Sequence, residues 1–146
     1  MKQFIDGYEI TTASIEAAEQ TKRGIESFIE WRMDPFDWLD RALETDPDCV
    51  LASLVKGLLL ATARSKNFTP IISECIEHGE SREQELGMQE TLYLKALKAM
   101  SGFEVLKAVE AYEALLRIHP QDLMATRMLQ AELFWMAESR LSLIHI

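Results

Sequence analysis

Apolar residues recur along this chain at the three-to-four-residue spacing of amphipathic helices, and capping residues mark where those helices begin. An acceptor side chain directly before proline is typical of an N-cap followed by the first helical residue. Three such steps occur, at Asp34-Pro35, Asp46-Pro47 and Thr69-Pro70. Ser81 and Gln84 have the spacing of a capping box, which predicts a fourth start. Gly79 and Gly102 are predicted helix ends.

These signals predict an all-α fold of seven helices with no sheet. The predicted ranges are 14–31, 35–45, 47–65, 70–78, 82–101, 104–118 and 122–139. The third helix carries an apolar coat from Val50 to Leu60 that is wider than a single stripe, so it is predicted to be the buried central helix.

Two segments share the spacing that closes a tetratricopeptide helix pair, in which a small residue and a large apolar residue precede proline. They are Ala108-x3-Tyr112-x2-Leu115-x4-Pro120 and Leu39-x2-Ala42-x4-Pro47. Gly57 follows Pro47 where the pattern requires a small residue. Pro120 lies 73 residues after Pro47, which is two repeats of roughly 34 residues plus about five inserted between residues 67 and 81. We therefore predict a solenoid of stacked antiparallel helix pairs with divergent repeats.

The order of several short motifs over residues 6–138 resembles the family of tetratricopeptide repeat protein 38, a group of divergent repeat proteins. These motifs are Thr11-Thr12-x-Ser14, Asp46-Pro47-Asp48-Cys49 with Lys56-Gly57, and Ala108-x3-Tyr112 with His119-Pro120. The resemblance implies an α-solenoid in a longer chain. It implies no biochemical role and no catalytic residues.

The end of the sequence differs in character from the rest. We expect one helical repeat domain over residues 1–140, forming the N-terminal part of a longer solenoid. Residues 141–146 are nearly all apolar and resemble the translation of a sequencing-library adaptor, so we expect a non-native tail; an ordinary apolar C-terminus is the alternative. The helix over 121–140 should then expose an apolar side that the next repeat would cover, which predicts self-association.

Composition narrows the classes of partner. The chain has 15 basic and 24 acidic residues, a net charge of −9, which disfavours nucleic acid. Its longest apolar run, Leu58–Ala61, is too short to cross a membrane. Cys49 and Cys75 lack the spacing of a metal site or a disulfide scaffold, and they are predicted to be buried thiols in a reducing compartment. We expect a cytoplasmic location.

Catalytic and metal-binding patterns are weak. Glu74 and His78 offer only two of the three or four ligands that a metal site needs. Asp34, Asp37 and Asp40 follow one side of a short helix, where capping and solvation explain them better than glycosidase chemistry does. We expect no enzyme, no metal and no cofactor. Three nearby aromatic residues are predicted to pack the first helix pair, with a sugar platform as the alternative: Trp31, Phe36 and Trp38.

The function expected from this sequence is a non-catalytic protein-protein interaction scaffold, because repeat helices build a concave groove without reactive groups. The alternative is a regulatory or docking fragment of a larger enzyme or transcription regulator. The groove-lining spacing of tetratricopeptide repeats selects seven partner-binding residues, of which Tyr93 and Arg127 are of the types enriched at interface hot spots. The others are Glu90, Leu97, Met100, Met124 and Phe134.

Overall fold

The computed structural model describes residues 2–144, and the side chains of residues 2–138 within them. This part of the chain contains seven α-helices and one two-stranded sheet. The strands are β1 (Lys2–Ile5) and β2 (Tyr8–Thr11). The helices are α1 (Ile15–Ile29), α2 (Pro35–Thr45), α3 (Val50–Thr62), α4 (Thr69–Ser81), α5 (Met88–Ser101), α6 (Val105–Ile118) and α7 (Leu123–Ile144). The all-α class of stacked antiparallel helix pairs is confirmed.

Successive helices pack against one another, and α3 lies at the centre. It contacts α1, α2, α4, α5 and β2. Ten of its 13 residues are buried, which is more than one apolar stripe can supply. The prediction that α3 is the buried central helix is confirmed. Gly57 lies at the tightest part of this packing, where an added Cβ would be 2.7 Å from a methyl carbon of Leu97 on α5. The small residue that the repeat spacing requires is therefore at a helix contact.

Two of the three Pro-containing steps begin helices as predicted, at Pro35 and at Thr69. The prediction that α3 begins at Pro47 is wrong, because α3 begins at Val50. The carboxylate of Asp46 accepts the main-chain N–H of Asp48 at 3.0 Å and a hydrogen bond from the Thr12 hydroxyl. Asp46 thus stabilises a turn before the helix, in the manner of an Asx turn, and does not cap α3 itself.

The predicted capping box at Ser81 is also wrong. Ser81 is the last residue of α4, and its hydroxyl donates to the carbonyl of His78 at 2.8 Å. Helix α5 begins seven residues later, where the Glu90 carboxylate accepts the N–H of Gly87 at 3.2 Å. Gly79 is inside α4, where its missing side chain leaves room for Leu94. Gly102, by contrast, is the predicted C-cap of α5.

The N-terminal hairpin contradicts the prediction of a fold without a sheet. Its strands pair antiparallel, with Ile5 opposite Tyr8. Asp6 and Gly7 join them with φ angles of 48° and 87°, the two positive values of a type I′ turn. Tyr8 and Ile10 alternate with more exposed residues and are buried in the helical core. The hairpin is therefore a packed part of the domain.

Candidate protein-interaction surfaces

Five of the seven residues predicted to bind a partner lie inside the domain. Tyr93 is 0% exposed, and the rest of this group is also buried: Glu90, Leu97, Met100 and Met124. The predicted groove is not open at these five positions, because neighbouring elements fill it: β2 binds Glu90, α3 packs against Leu97 at Gly57, and Tyr112 of α6 contacts Met100. Of the remaining two, Arg127 is half-buried and Phe134 is exposed.

The first turn of α5 holds β2 through the main chain of the strand. The N–H of Glu9 donates to Oε1 of Gln89 at 2.9 Å, and Nε2 of Gln89 donates to the carbonyl of Gly7 at 3.2 Å. The N–H and the hydroxyl of Thr11 donate to the Glu90 carboxylate at 3.0 and 2.5 Å. The start of α5, where the repeat spacing selected Glu90, is therefore occupied by a strand of the same chain.

A buried polar cluster at the start of α7 joins the hairpin to the helices. The carboxylate of Asp122 accepts the hydroxyls of Tyr8 at 3.1 Å and of Tyr93 at 2.6 and 2.8 Å. It also accepts Nε2 of Gln89 at 3.1 Å and the N–H of Ala125 at 3.0 Å, so it serves as the N-cap of α7. This cluster connects the two ends of the described chain.

Burial determines the protonation of the groups in and beside this cluster. It raises the pKa of the Tyr8 and Tyr93 hydroxyls well above their usual value, so both remain donors to Asp122. Burial also raises the pKa of the Glu90 carboxyl, while the hydrogen bonds from Thr11 and Gly87 act in the opposite direction. Asp122 and Tyr8 were not among the predicted functional residues, although Asp6-Gly7 followed by an alternating strand was a signal for the hairpin.

Arg127, in the second turn of α7, joins that helix to the end of α1. Its guanidinium donates from Nη2 to the carbonyl of Ile29 at 3.2 Å, and it lies 4.9 Å from the ring centroid of Trp31. A cation at a helix C-terminus is favourable, since the last carbonyls lack partners within the helix. Trp31 is 77% exposed and has a φ of 60°, so the prediction that it packs the first helix pair is wrong.

A buried ion pair holds the next part of α7 against the end of α3. Glu132, which is 1% exposed, accepts from Nη2 of Arg64 at 2.8 Å. The Arg64 guanidinium also lies 4.3 Å from the ring centroid of Trp135. Arg64 follows the last turn of α3 and has a φ of 52°, a left-handed conformation that turns the chain there. One side of this stretch of α7 is therefore firmly attached to the domain.

Three consecutive large apolar residues follow Glu132 and are all exposed. Leu133 is 49%, Phe134 66% and Trp135 44% exposed. We call residues 133–135 the apolar turn. Its exposure agrees in part with the prediction that α7 presents an apolar side, which also included the buried Met128 and the half-buried Leu129. The proposed non-native tail, 141–146, lies outside the described side chains.

The chain matches no family model and no solved structure. None of the helices in residues 2–144 is long and apolar enough to cross a membrane. The function is therefore inferred from the exposure, charge and contacts of the described residues.

The groups considered for chemistry have structural contacts in this fold. Asp34 accepts a hydrogen bond from Ser27, and Asp40 pairs with Lys56 at 2.7 Å. Nδ1 of His78 lies 2.6 Å from the Ser53 hydroxyl. Both cysteines are buried, and burial raises the pKa of each thiol, which makes the reactive thiolate scarcer. Among the described residues, no three His, Cys, Asp or Glu side chains are placed to hold a metal ion.

Proposed function

We propose that this protein is a non-catalytic scaffold that binds another protein through the apolar turn of α7. The proposal includes membership of the tetratricopeptide repeat protein 38 family, on the motif order described above. The observation that carries it is the simultaneous exposure of Leu133, Phe134 and Trp135 directly beside the buried Glu132.

Helix geometry makes this exposure informative. Consecutive residues point about 100° apart around a helix, so three in succession face three directions. Glu132 is turned towards the domain and is fixed there by Arg64. The Arg64 guanidinium also contacts one side of Trp135, while Leu133 and Phe134 point away. A helix that is apolar on several sides is normally surrounded by other elements. The apolar turn has the character of a helix that a partner covers.

The partner that fits this surface is a helix with an apolar face. Every preceding helix of the domain is packed by another helix, and a partner helix on α7 would continue that arrangement. Exposed apolar patches rimmed by polar residues are typical of protein-binding sites. The net charge of −9 favours a partner with basic residues beside its apolar face over an acidic one.

Site-specific photo-crosslinking in the full chain tests the proposal. A photoreactive phenylalanine analogue in place of Phe134 should capture a discrete protein in lysate of the source cells. The matched control places the same analogue at Leu106 on α6, which has the same 66% exposure. The proposal is supported if the protein is captured at position 134 but not at position 106, and if adding Leu133→Ser abolishes that capture. Equal capture at both positions, or none at position 134, refutes it.

A further inference from the structure

We infer that the N-terminal hairpin is a control element for α7, because the Tyr8 hydroxyl forms part of the N-terminal cap of that helix. The inference rests on the proposed function only in its last step, where the position of α7 affects partner binding. The coupling between hairpin and helix can be measured on the chain alone.

The first step concerns the free N–H groups at the start of α7. The first four N–H groups of a helix have no partner within it. Ala125 donates its N–H to Asp122 at 3.0 Å, whereas Met124 donates to the Tyr8 hydroxyl at 3.4 Å. The same hydroxyl donates to Asp122 at 3.1 Å. A residue 116 positions away in sequence from Met124 thus completes the cap.

The second step concerns the energetic dependence of Asp122 on the hairpin. Asp122 is 2% exposed, and a buried carboxylate must be fully hydrogen-bonded to avoid a large desolvation cost. One of its donors, Tyr8, is in the hairpin. Another, Gln89, also donates to the hairpin carbonyl of Gly7 at 3.2 Å. Undocking of the hairpin would remove one donor from Asp122 and free another to turn away.

The third step connects the cap to the apolar turn. Ten residues separate Asp122 from Glu132, a distance of about 15 Å along one continuous helix. Arg127 and Glu132 fix the first half of α7 to the ends of α1 and α3, and the hairpin fixes its first turn. A partner that orders α7 should therefore stabilise the docked hairpin, and the docked hairpin should strengthen partner binding, because linkage is reciprocal.

Hydrogen exchange of the full chain tests this coupling. In Tyr8→Phe, the amides of residues 124–128 should exchange roughly three- to tenfold faster, the effect of losing one hydrogen-bonding group. Amides of α2 should keep their wild-type rates, because α2 packs mainly against α1 and α3. The control is Tyr112→Phe, which removes a buried hydroxyl that donates to the sulfur of Met100. It should leave residues 124–128 unchanged.

A second variant, on the α7 side of the contact, tests whether the coupling also runs from α7 to the hairpin. Asp122→Asn keeps an oxygen for the N–H of Ala125 but presents donors where the carboxylate accepted them. It should speed exchange of the hairpin amides of Glu9 and Thr11. Unchanged exchange of residues 124–128 in Tyr8→Phe, or an equal rise in every helix, would overturn the inference. Failure of the crosslinking experiment would leave these rates unaffected, so the two failures are distinguishable.

Discussion

The carboxylate of Glu132 on α7 lies 2.8 Å from the guanidinium of Arg64, a residue just after α3 and 68 positions earlier in the sequence. Glu132 is buried, with a side-chain exposure of 1%, and Arg64 is partly exposed at 17%. Oε2 of Glu132 has no further partner among the described residues. The carboxylate therefore depends on Arg64 for compensation of its charge.

Removal of Arg64 should destabilise the fold, because the buried Glu132 carboxylate would then have no cation to balance its charge. We expect Arg64→Met to lower the free energy of unfolding by about 3–5 kcal/mol, and the double variant Arg64→Met/Glu132→Leu to recover most of that loss. Arg82→Met, which breaks exposed pairs with Asp48 and Glu85, should cost less than about 1 kcal/mol. Urea denaturation measures all three. A double variant as unstable as Arg64→Met would contradict the explanation.

Gly57 should not tolerate even a methyl group. Its added Cβ would lie 2.7 Å from Cδ2 of the buried Leu97 and 3.1 Å from Cβ of Cys75. Although alanine is the better helix former, we expect overpacking to dominate and Gly57→Ala to destabilise by about 1–3 kcal/mol. Gly102→Ala is the control, since its nearest neighbour is the mobile carboxylate of Glu104 at 3.2 Å. Thermal unfolding that ranked the two variants in the opposite order would disprove this packing argument.

Glu90 should make the domain less stable as the pH rises. Burial raises the pKa of its carboxyl in the folded state above the ordinary 4.5. Above pH 4.5 the unfolded chain therefore releases this proton before the folded chain does, so folding becomes less favourable until the folded carboxyl also ionises. Relative to Glu90→Gln, the wild type should lose stability over that interval. Denaturation at several pH values measures the difference, with Glu85→Gln at an exposed position as control. A difference that does not vary with pH would contradict the assignment.

Local signals in the sequence predicted the existence and order of the helices more accurately than the residues at which they begin. The number and order of the helices follow from apolar spacing and from the Pro-containing steps. The starts of α3 and α5 were misplaced because Asp46 and Ser81 use their side chains in neighbouring turns. Capping residues and turn residues are the same types, and the choice between them depends on tertiary partners such as Thr12.

The binding face shows the limit of prediction from repeat spacing. That spacing selected Glu90 and Tyr93 on the inner side of α5, and both do make specific long-range contacts. It could not reveal that β2, about 80 residues earlier, already lies there. The strands have only four residues each, so Asp6-Gly7 was the main sequence signal for the hairpin, and it does not show where the hairpin packs. The exposed Phe134 was selected by the same spacing and remains a predicted contact.

The apolar turn should promote self-association of the isolated chain. Leu133, Phe134 and Trp135 are exposed together, and burying such an apolar patch between two molecules lowers the free energy. We expect a concentration-dependent increase in mass by light scattering, together with binding of a hydrophobic dye. Phe134→Ser should shift the association to roughly tenfold higher concentration, the effect of about 1.4 kcal/mol lost from burial of an aromatic ring. Leu106→Ser, at an equally exposed position on α6, should leave it unchanged. A wild-type chain that stays monomeric at high concentration without binding dye would show that the apolar turn does not associate.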